Sequence, residues 1–425
     1  MIRRRLALAG QETFRSLHLR NFRLFFIGQS VSQVGNWLTL VAQTLLVLHL
    51  TGSGVAVGLL TACQFGPVLL LGAWAGLVAD RSDKRRLLMI VLAGAMLQSF
   101  SLAGLAFMSD PPLLAFYAVA LVGGVFTAFD NPTRRSFVVE MVPESHVQNA
   151  VSLNSALMMG SRILGPALAG LLIHSVGYGW CFLLDGISYL AVIANLGRMD
   201  TSQLRVGPVA ARAKGQVRAG LRYVRSVPDL WVSLVMMAVI GTLAFNFQVV
   251  FPLFATRSLD GGDGAFTLLY SVVSAGSLIG ALATARATSV DLRRVEITAV
   301  GLGVSMLALA AMPNLASALP LAVLLGITSI AFMTTSTAIV QLRADPAMRG
   351  RVMALQSIVF IGSTPIGGPA LGVICEAFGA RSGLVVGGAS CFVAAAWGVR
   401  AGRRVRPPAP AEDAGPASDS GLVAV

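Results

Sequence analysis

Apolar residues run in blocks of about twenty along this chain, and short polar interruptions separate them. Such blocks recur near 22–48, 54–79, 86–107, 112–133, 148–173, 178–197, 230–256, 265–286, 295–312, 317–340, 351–376 and 382–400. At ~1.5 Å rise per residue, a helix of about twenty residues crosses a hydrocarbon layer roughly 30 Å thick. The interruptions are turn chemistry: Thr51-Gly52-Ser53-Gly54, Ser109-Asp110-Pro111-Pro112, Gly177-Tyr178-Gly179 and Asp260-Gly261-Gly262-Asp263-Gly264. The pattern predicts an all-α membrane protein with twelve transmembrane helices.

Charge orients these helices. Only 12% of the 425 residues are charged, against roughly a quarter in a soluble domain, and mean hydropathy is +0.76. The net charge of +13 is spread over short interhelical clusters. That distribution, without stacking platforms or a basic groove, argues against nucleic-acid binding. Arg81 to Arg86, Arg134 with Arg135, Arg198 to Arg225, Arg293 with Arg294, and Arg343 to Arg351 all fall on alternate connections, whereas the opposite connections hold only Arg257 and Arg381. The positive-inside rule then places both termini in the cytoplasm. The first twenty residues carry Arg3, Arg4, Arg5, Arg15 and Arg20 without a cleavable apolar core. Arginine far outnumbers lysine, which suits a GC-rich bacterial source and hence a bacterial cell (inner) membrane.

The two halves of the chain repeat each other. Gly160, Gly165 and Gly170 match Gly362, Gly367 and Gly372 at a constant offset of 202, and Gly72 and Gly76 match Gly276 and Gly280 at 204. Gln43 matches Gln248 at 205. Two pseudo-symmetric six-helix bundles of the same orientation follow. Expected boundaries are a cytoplasmic lead at 1–20, bundles at 21–198 and 229–401, a basic linker at 199–228 and a disordered cytoplasmic tail at 402–425. The linker reads equally as a solvated connection or as an amphipathic helix on anionic headgroups. Glycines four apart let helices approach closely, so the repeated set (with Pro166) is a packing motif and a candidate interface between moving halves.

Several polar groups then stand out. Gly76, Asp80, Arg81, Lys84, Arg85 and Arg86 form a charged turn that hydrocarbon cannot hold. Asp130, Arg134 and Arg135 flank Pro132, which is expected to stop span four. Arg162 in span five and Asp185 in span six are intramembrane and of similar depth, so they should face each other or a central cavity. A static ion pair and a proton-carrying role for Asp185 both fit that placement. Gln29, Gln33, Asn36 and Gln43 make a polar stripe near Trp37. Asn246, Gln248, Thr334 and Thr337 offer amides and hydroxyls in the second half. Beside Phe126 and Phe247, these groups suit a bulky amphipathic or aromatic solute; hydrogen bonding between helices is the rival reading of each. Cys63, Cys181, Cys375 and Cys391 are isolated, and no histidine pair has metal-ligand spacing, so no metal or disulfide is expected. No convergent set of His, acidic, Ser or Cys groups suggests an enzyme.

The turn Gly76-Leu77-Val78-Ala79-Asp80-Arg81-Ser82-Asp83-Lys84-Arg85-Arg86 resembles the loop between spans two and three of the major facilitator superfamily, with Asp83 where that pattern has a second glycine. Together with "GQSVSQVGNWLTLVAQTLLVLHLTGS", "FDNPTRRSFV" and "SLNSALMMGSRILGPALAG", it resembles the enterobactin-exporter-like and macrolide-efflux (drug:H⁺ antiporter-3) branch. The resemblance implies a monomeric secondary transporter that exports a small organic molecule (drug, siderophore or secondary metabolite) by alternating access, with the proton gradient as driving force and no cofactor. It also implies that Asp80 meets free amides at the start of span eleven, around Gly350 and Arg351, to close the cytoplasmic side. The span-five match lacks the early glycines of the antiporter motif, and span four lacks its mid-membrane arginine, so the coupling ion stays open. An importer of the same fold and a non-transporting membrane signalling protein are the alternatives.

Overall fold

Helix after helix follows the apolar blocks in the computed structural model, which describes residues 13–205, 216–259, 261–284 and 290–403. The first half contains α1 (Arg20–Thr51), α2 (Gly54–Arg81), α3 (Lys84–Ala106), α4 (Leu113–Glu140), α5 (Glu144–Val176) and α6 (Tyr178–Gly197). A short helix, α7 (Gln216–Ser226), leads into the second half. There α8 (Pro228–Leu243) and α9 (Phe247–Arg257) form one broken span. They are followed by α10 (Gly262–Thr284), α11 (Leu292–Ala310), α12 (Leu315–Arg343), α13 (Pro346–Phe378) and α14 (Arg381–Arg403). Among the described residues, eleven spans are long and apolar enough to cross a membrane, α8 and α9 counting as one. The remaining one, α11, is 19 residues long and carries Arg293, Arg294 and Glu296 in its opening turns.

The halves meet along two helix pairs, α2 with α13 and α5 with α10. These are spans two with eleven and five with eight, so exchanging equivalent spans between the halves turns one pair into the other. The interface therefore has the pseudo-two-fold character of a parallel repeat. Leu70, Leu114 and Phe378 turn outward, each about four-fifths exposed. Water would penalise such a surface, but lipid does not.

Two helix ends differ from the sequence expectation. Pro132 does not stop span four, because α4 continues to Glu140. Proline removes one backbone donor, but the surrounding turn is held by side chains. The Thr133 hydroxyl donates to the Phe129 carbonyl at 2.7 Å, and Arg134 returns to Asp130 across one helical turn. Span eleven, in turn, begins five residues earlier than expected, at Pro346. The amides of Met348 and Arg349 bond to the Asp345 carbonyl. Gly350 and Arg351 thus lie inside the helix, where they do not supply free amides at its start.

At the end that carries the basic loops, Lys84 Nζ pairs with Glu140 Oε1 at 2.7 Å, with the two side chains 11% and 10% exposed. Arg85 donates to the Leu196 and Gly197 carbonyls at the end of α6. These cations fasten the turn after α2 to its own half. Glu140→Ala strands the Lys84 ammonium and is expected to cost about 3–5 kcal/mol. Thermal unfolding of purified protein should show a clear fall in Tm, with recovery in a Lys84→Met/Glu140→Leu double variant. An unchanged Tm for Glu140→Ala contradicts a supporting role for the pair.

The linker is partly a packed helix. Val224 is fully buried, the Tyr223 hydroxyl accepts from the Asp345 amide at 2.9 Å, and Arg225 lies 5.2 Å over the Trp231 ring. Arg218, Arg222 and Arg225 are on the exposed side. The expected disordered tail falls mainly on 404–425, outside the described residues.

Candidate functional site

The seventh span breaks where the two halves meet. Helix α8 stops at Leu243 and α9 starts at Phe247, so Phe245, Asn246, Phe247 and Gln248 face a central cavity. Asn246 stabilises the break by donating Nδ2 to the Thr242 carbonyl at 2.7 Å. Neighbouring backbones come close here. A Cβ on Gly387 would lie 2.9 Å from the Leu243 carbonyl oxygen, and one on Gly367 would lie 2.5 Å from Asn246 Nδ2. Irregular backbone at membrane depth is tolerated where it lines a cavity, which is its situation here.

The cavity has a volume of about 450 Å³ and receives side chains from both halves. Gln33, Asn36 and Gln43 of the polar stripe line it together with Trp37, as do Asn246 and Gln248. Gln43 accepts from Gln64 at 2.9 Å, and Gln33 donates to the Met158 sulfur. Trp37 meets Tyr270 of the opposite half at 5.4 Å between ring centroids. Three expected wall residues are elsewhere. Gln29 is buried with both amide atoms unpartnered, away from the cavity. Thr334 and Thr337 donate their hydroxyls to carbonyls of their own helix, and Ser329, Ile330 and Met333 take that wall instead. Gln64 and Gln98 are amides in mid-span, the same signal that marked Gln43, and both belong to the site.

Arg162 and Asp185 both line the cavity, but no ion pair joins them. Asp185 is 1% exposed. Its Oδ2 accepts from Thr39 at 2.6 Å and from Ser99 at 2.8 Å, while Oδ1 has no partner and lies against Gly35. Arg162 is half-buried, and its Nε has no acceptor. Asp130 and Arg134, the charges flanking Pro132, form a two-point pair at 2.6 and 2.9 Å on the cavity wall, whereas Arg135 is exposed. Asp80 lies half-buried in the last turn of α2, with Arg81 and Arg86 exposed beside it.

Links between the halves gather at the end opposite the basic loops. Glu376 Oε2 accepts from the Gly54 amide at 2.7 Å and pairs with Arg257 at 3.3 Å, and Arg257 also donates to the Gly52 carbonyl. The Tyr178 hydroxyl donates to Asp263 at 2.5 Å. Between them, Gly54 and Gly58 of α2 lie against Gly372, Gly368 and Pro369 of α13. Not every repeated glycine serves this seam. Gly170 faces Thr267 and Gly362 faces Leu69 across the halves. Gly165 packs on Trp37, Gly367 on α8, and Gly276 and Gly280 on α12, each within its own half; Gly72 and Gly160 face open space. Spacing identifies small residues, but it does not say which neighbour approaches them.

The sequence matches a major-facilitator family model described as transmembrane secretion effector over residues 11–417. It is 23% identical over 261 residues to the staphyloferrin A transporter of Staphylococcus aureus, covering 61% of this chain and 66% of that protein, just under two thirds of its length. It is 22% identical over 362 residues to macrolide efflux protein A of Streptococcus pyogenes, covering 81% and 87% of the two chains. Its fold is similar to that of a bacterial homolog of the human lysosomal transporter Spinster in an inward-facing, unoccupied conformation. That likeness has a TM-score of 0.72 at 15% identity and covers 90% of this chain and 96% of the other. With its twelve spans and central cavity, the chain belongs to the transmembrane secretion effector family of the major facilitator superfamily.

Proposed function

We propose that this chain is a secondary transporter of a bacterial inner membrane that exports a small amphipathic organic molecule in exchange for protons. The observation that carries the reading is the cavity itself. It sits between two six-helix halves, is walled by a broken span, and lies beneath a set of interhalf links at one end only partly ionic in character. By the positive-inside rule the basic loops lie on the cytoplasmic face, so the linked end is the outward one. Solute enters from the cytoplasm, the halves rock about α2/α13 and α5/α10, and the linked end opens. The solute leaves chemically unchanged.

Similarity to a siderophore transporter and to a macrolide efflux protein supports export of organic molecules larger than a simple ion. The aromatic and amide lining supports the same class. Asp185 is the natural proton carrier in this scheme: it is buried beside the cavity, with one carboxyl oxygen free of partners. Inverted membrane vesicles with an imposed pH gradient test the reading. Solute-dependent proton movement is expected for at least one amphipathic compound in a broad panel, and its absence across the panel contradicts antiport.

A further inference from the structure

Charge is not evenly available inside the cavity. Two carboxyl groups and two guanidinium groups belong to its wall: Asp130, Asp185, Arg134 and Arg162. Asp130 is occupied, because both its oxygens receive donors from Arg134, which engages Nε and Nη2 in return and keeps Nη1 buried without a partner. Asp185 is sequestered: two hydroxyls cover Oδ2, Oδ1 abuts Gly35, and the residue is 1% exposed. A cationic solute therefore finds no open carboxylate on this wall.

Arg162 is in the opposite condition. It is half-buried on the cavity wall, its Nε has no acceptor, and no described carboxylate pairs with it. A guanidinium at membrane depth normally faces an anion or a carbonyl, because an uncompensated charge there is costly. Across the cavity, Asn246 is 2% exposed and its Oδ1 has no donor, although its Nδ2 is fixed by the Thr242 carbonyl. The Gln248 Oε1 also lacks a donor. The unpartnered atoms of the described wall are thus Arg162 Nε, Arg134 Nη1 and Asp185 Oδ1 on the first half and two carbonyl oxygens on the second. Of the three charged groups, Arg134 has its carboxylate and Asp185 its two hydroxyls, Arg162 has neither, and Trp37 and Tyr270 lie between the halves.

We infer that the transported solute is an organic acid: its anionic head pairs with Arg162, its N–H or O–H donors meet Asn246 and Gln248, and its aromatic body lies against Trp37 and Tyr270. The inference rests on the transport reading for the word "transported", but the charge preference belongs to the cavity and can be measured without transport. Arginine suits the task because its planar fork binds a carboxylate at two points.

The test uses purified full-length protein in detergent and three probes that share one fluorophore: dansylglycine, dansylglycinamide and dansylcadaverine, which are anionic, neutral and cationic. Binding is read by energy transfer from tryptophan. Dansylglycine is expected to bind about tenfold more tightly than dansylglycinamide, as a charge-assisted hydrogen bond allows, with dansylcadaverine weakest. Arg162→Gln should erase the advantage of the acid over the neutral probe, and Arg162→Lys should retain part of it. The proposal is overturned if the cation binds as well as the acid, if the three probes are equivalent, or if Arg162→Gln keeps the preference. The parent protein's ranking alone decides the first two outcomes, so a poorly folding variant does not remove the test. Intact ranking without solute-dependent proton movement in vesicles counts against transport and leaves the charge preference standing.

Discussion

Asp185→Asn is expected to insert, fold and bind solute, yet lose gradient-driven export to the level of empty vesicles. The asparagine keeps the shape of the carboxyl group and still offers an oxygen to the Thr39 and Ser99 hydroxyls, now 2.6 and 2.8 Å away. Exchanging charge-assisted for neutral hydrogen bonds costs about 1–2 kcal/mol, which a folded membrane protein survives. A proton carrier, however, is gone. Solute counterflow needs no net proton movement and should continue. That separation between driven export and counterflow distinguishes a coupling role from a packing role, because a packing defect depresses both. Gly35→Ala approaches the same group from the other side. Its Cβ would lie 2.5 Å from Asp185 Oδ1 and 2.9 Å from Ser188 Oγ, so the carboxyl group must move. Normal driven export by Asp185→Asn would exclude Asp185 as the proton carrier.

The twelve spans were legible in the sequence because a hydrocarbon solvent demands long apolar runs, and composition alone reports that demand. Helix ends were less legible, since they depend on local satisfaction of the backbone. Pro132 reads as a terminator until Thr133 and the Asp130–Arg134 pair are seen holding the turn around it. The break in span seven had no signal at 244–246, where neither proline nor glycine occurs. It is held by Asn246 and by Gly367 and Gly387, which are more than a hundred residues away in the chain.

The cavity shows the same division. Helical spacing grouped Gln29, Gln33, Asn36 and Gln43, but α1 is 32 residues long and only its middle borders the cavity, so Gln33, Asn36 and Gln43 line it and Gln29 falls outside. Depth counting put Arg162 and Asp185 on one membrane level. Depth says nothing about rotation around a helix axis, however, and the two groups prove to be unpaired. Hydroxyls were the least legible groups, because Thr334 and Thr337 can satisfy themselves on their own helix.

Gly58→Val is expected to jam the outward-linked end open and to abolish export. The Cβ of the valine would lie 2.7 Å from the Gly368 carbonyl oxygen and 2.8 Å from the Pro369 Cα, both backbone atoms of α13 that cannot swing aside. Relief requires α2 and α13 to separate, at a cost of about 1–3 kcal/mol charged to the closed state alone. Each ~1.4 kcal/mol changes the closed-to-open ratio about tenfold, so the population should shift by roughly ten- to a hundredfold. Arg257 is a weaker lever: its donation to the Gly52 carbonyl crosses the seam at an exposed site, and its pair with Glu376, 34% and 41% exposed, lies within the second half. Such exposed links are worth about 0–1 kcal/mol, and Arg257→Ala should shift the balance by a few-fold at most. Thr61→Cys provides the reporter: Thr61 lines the cavity at 3% exposure and touches Gly368 across the seam. In a background without the four native cysteines, a membrane-impermeant maleimide added from outside should label Thr61→Cys faster when Gly58→Val is present, and only slightly faster with Arg257→Ala. Equal labelling with and without Gly58→Val would mean that the glycine seam does not hold this end shut, whereas a larger effect from Arg257→Ala would give that role to the Arg257 link to Gly52.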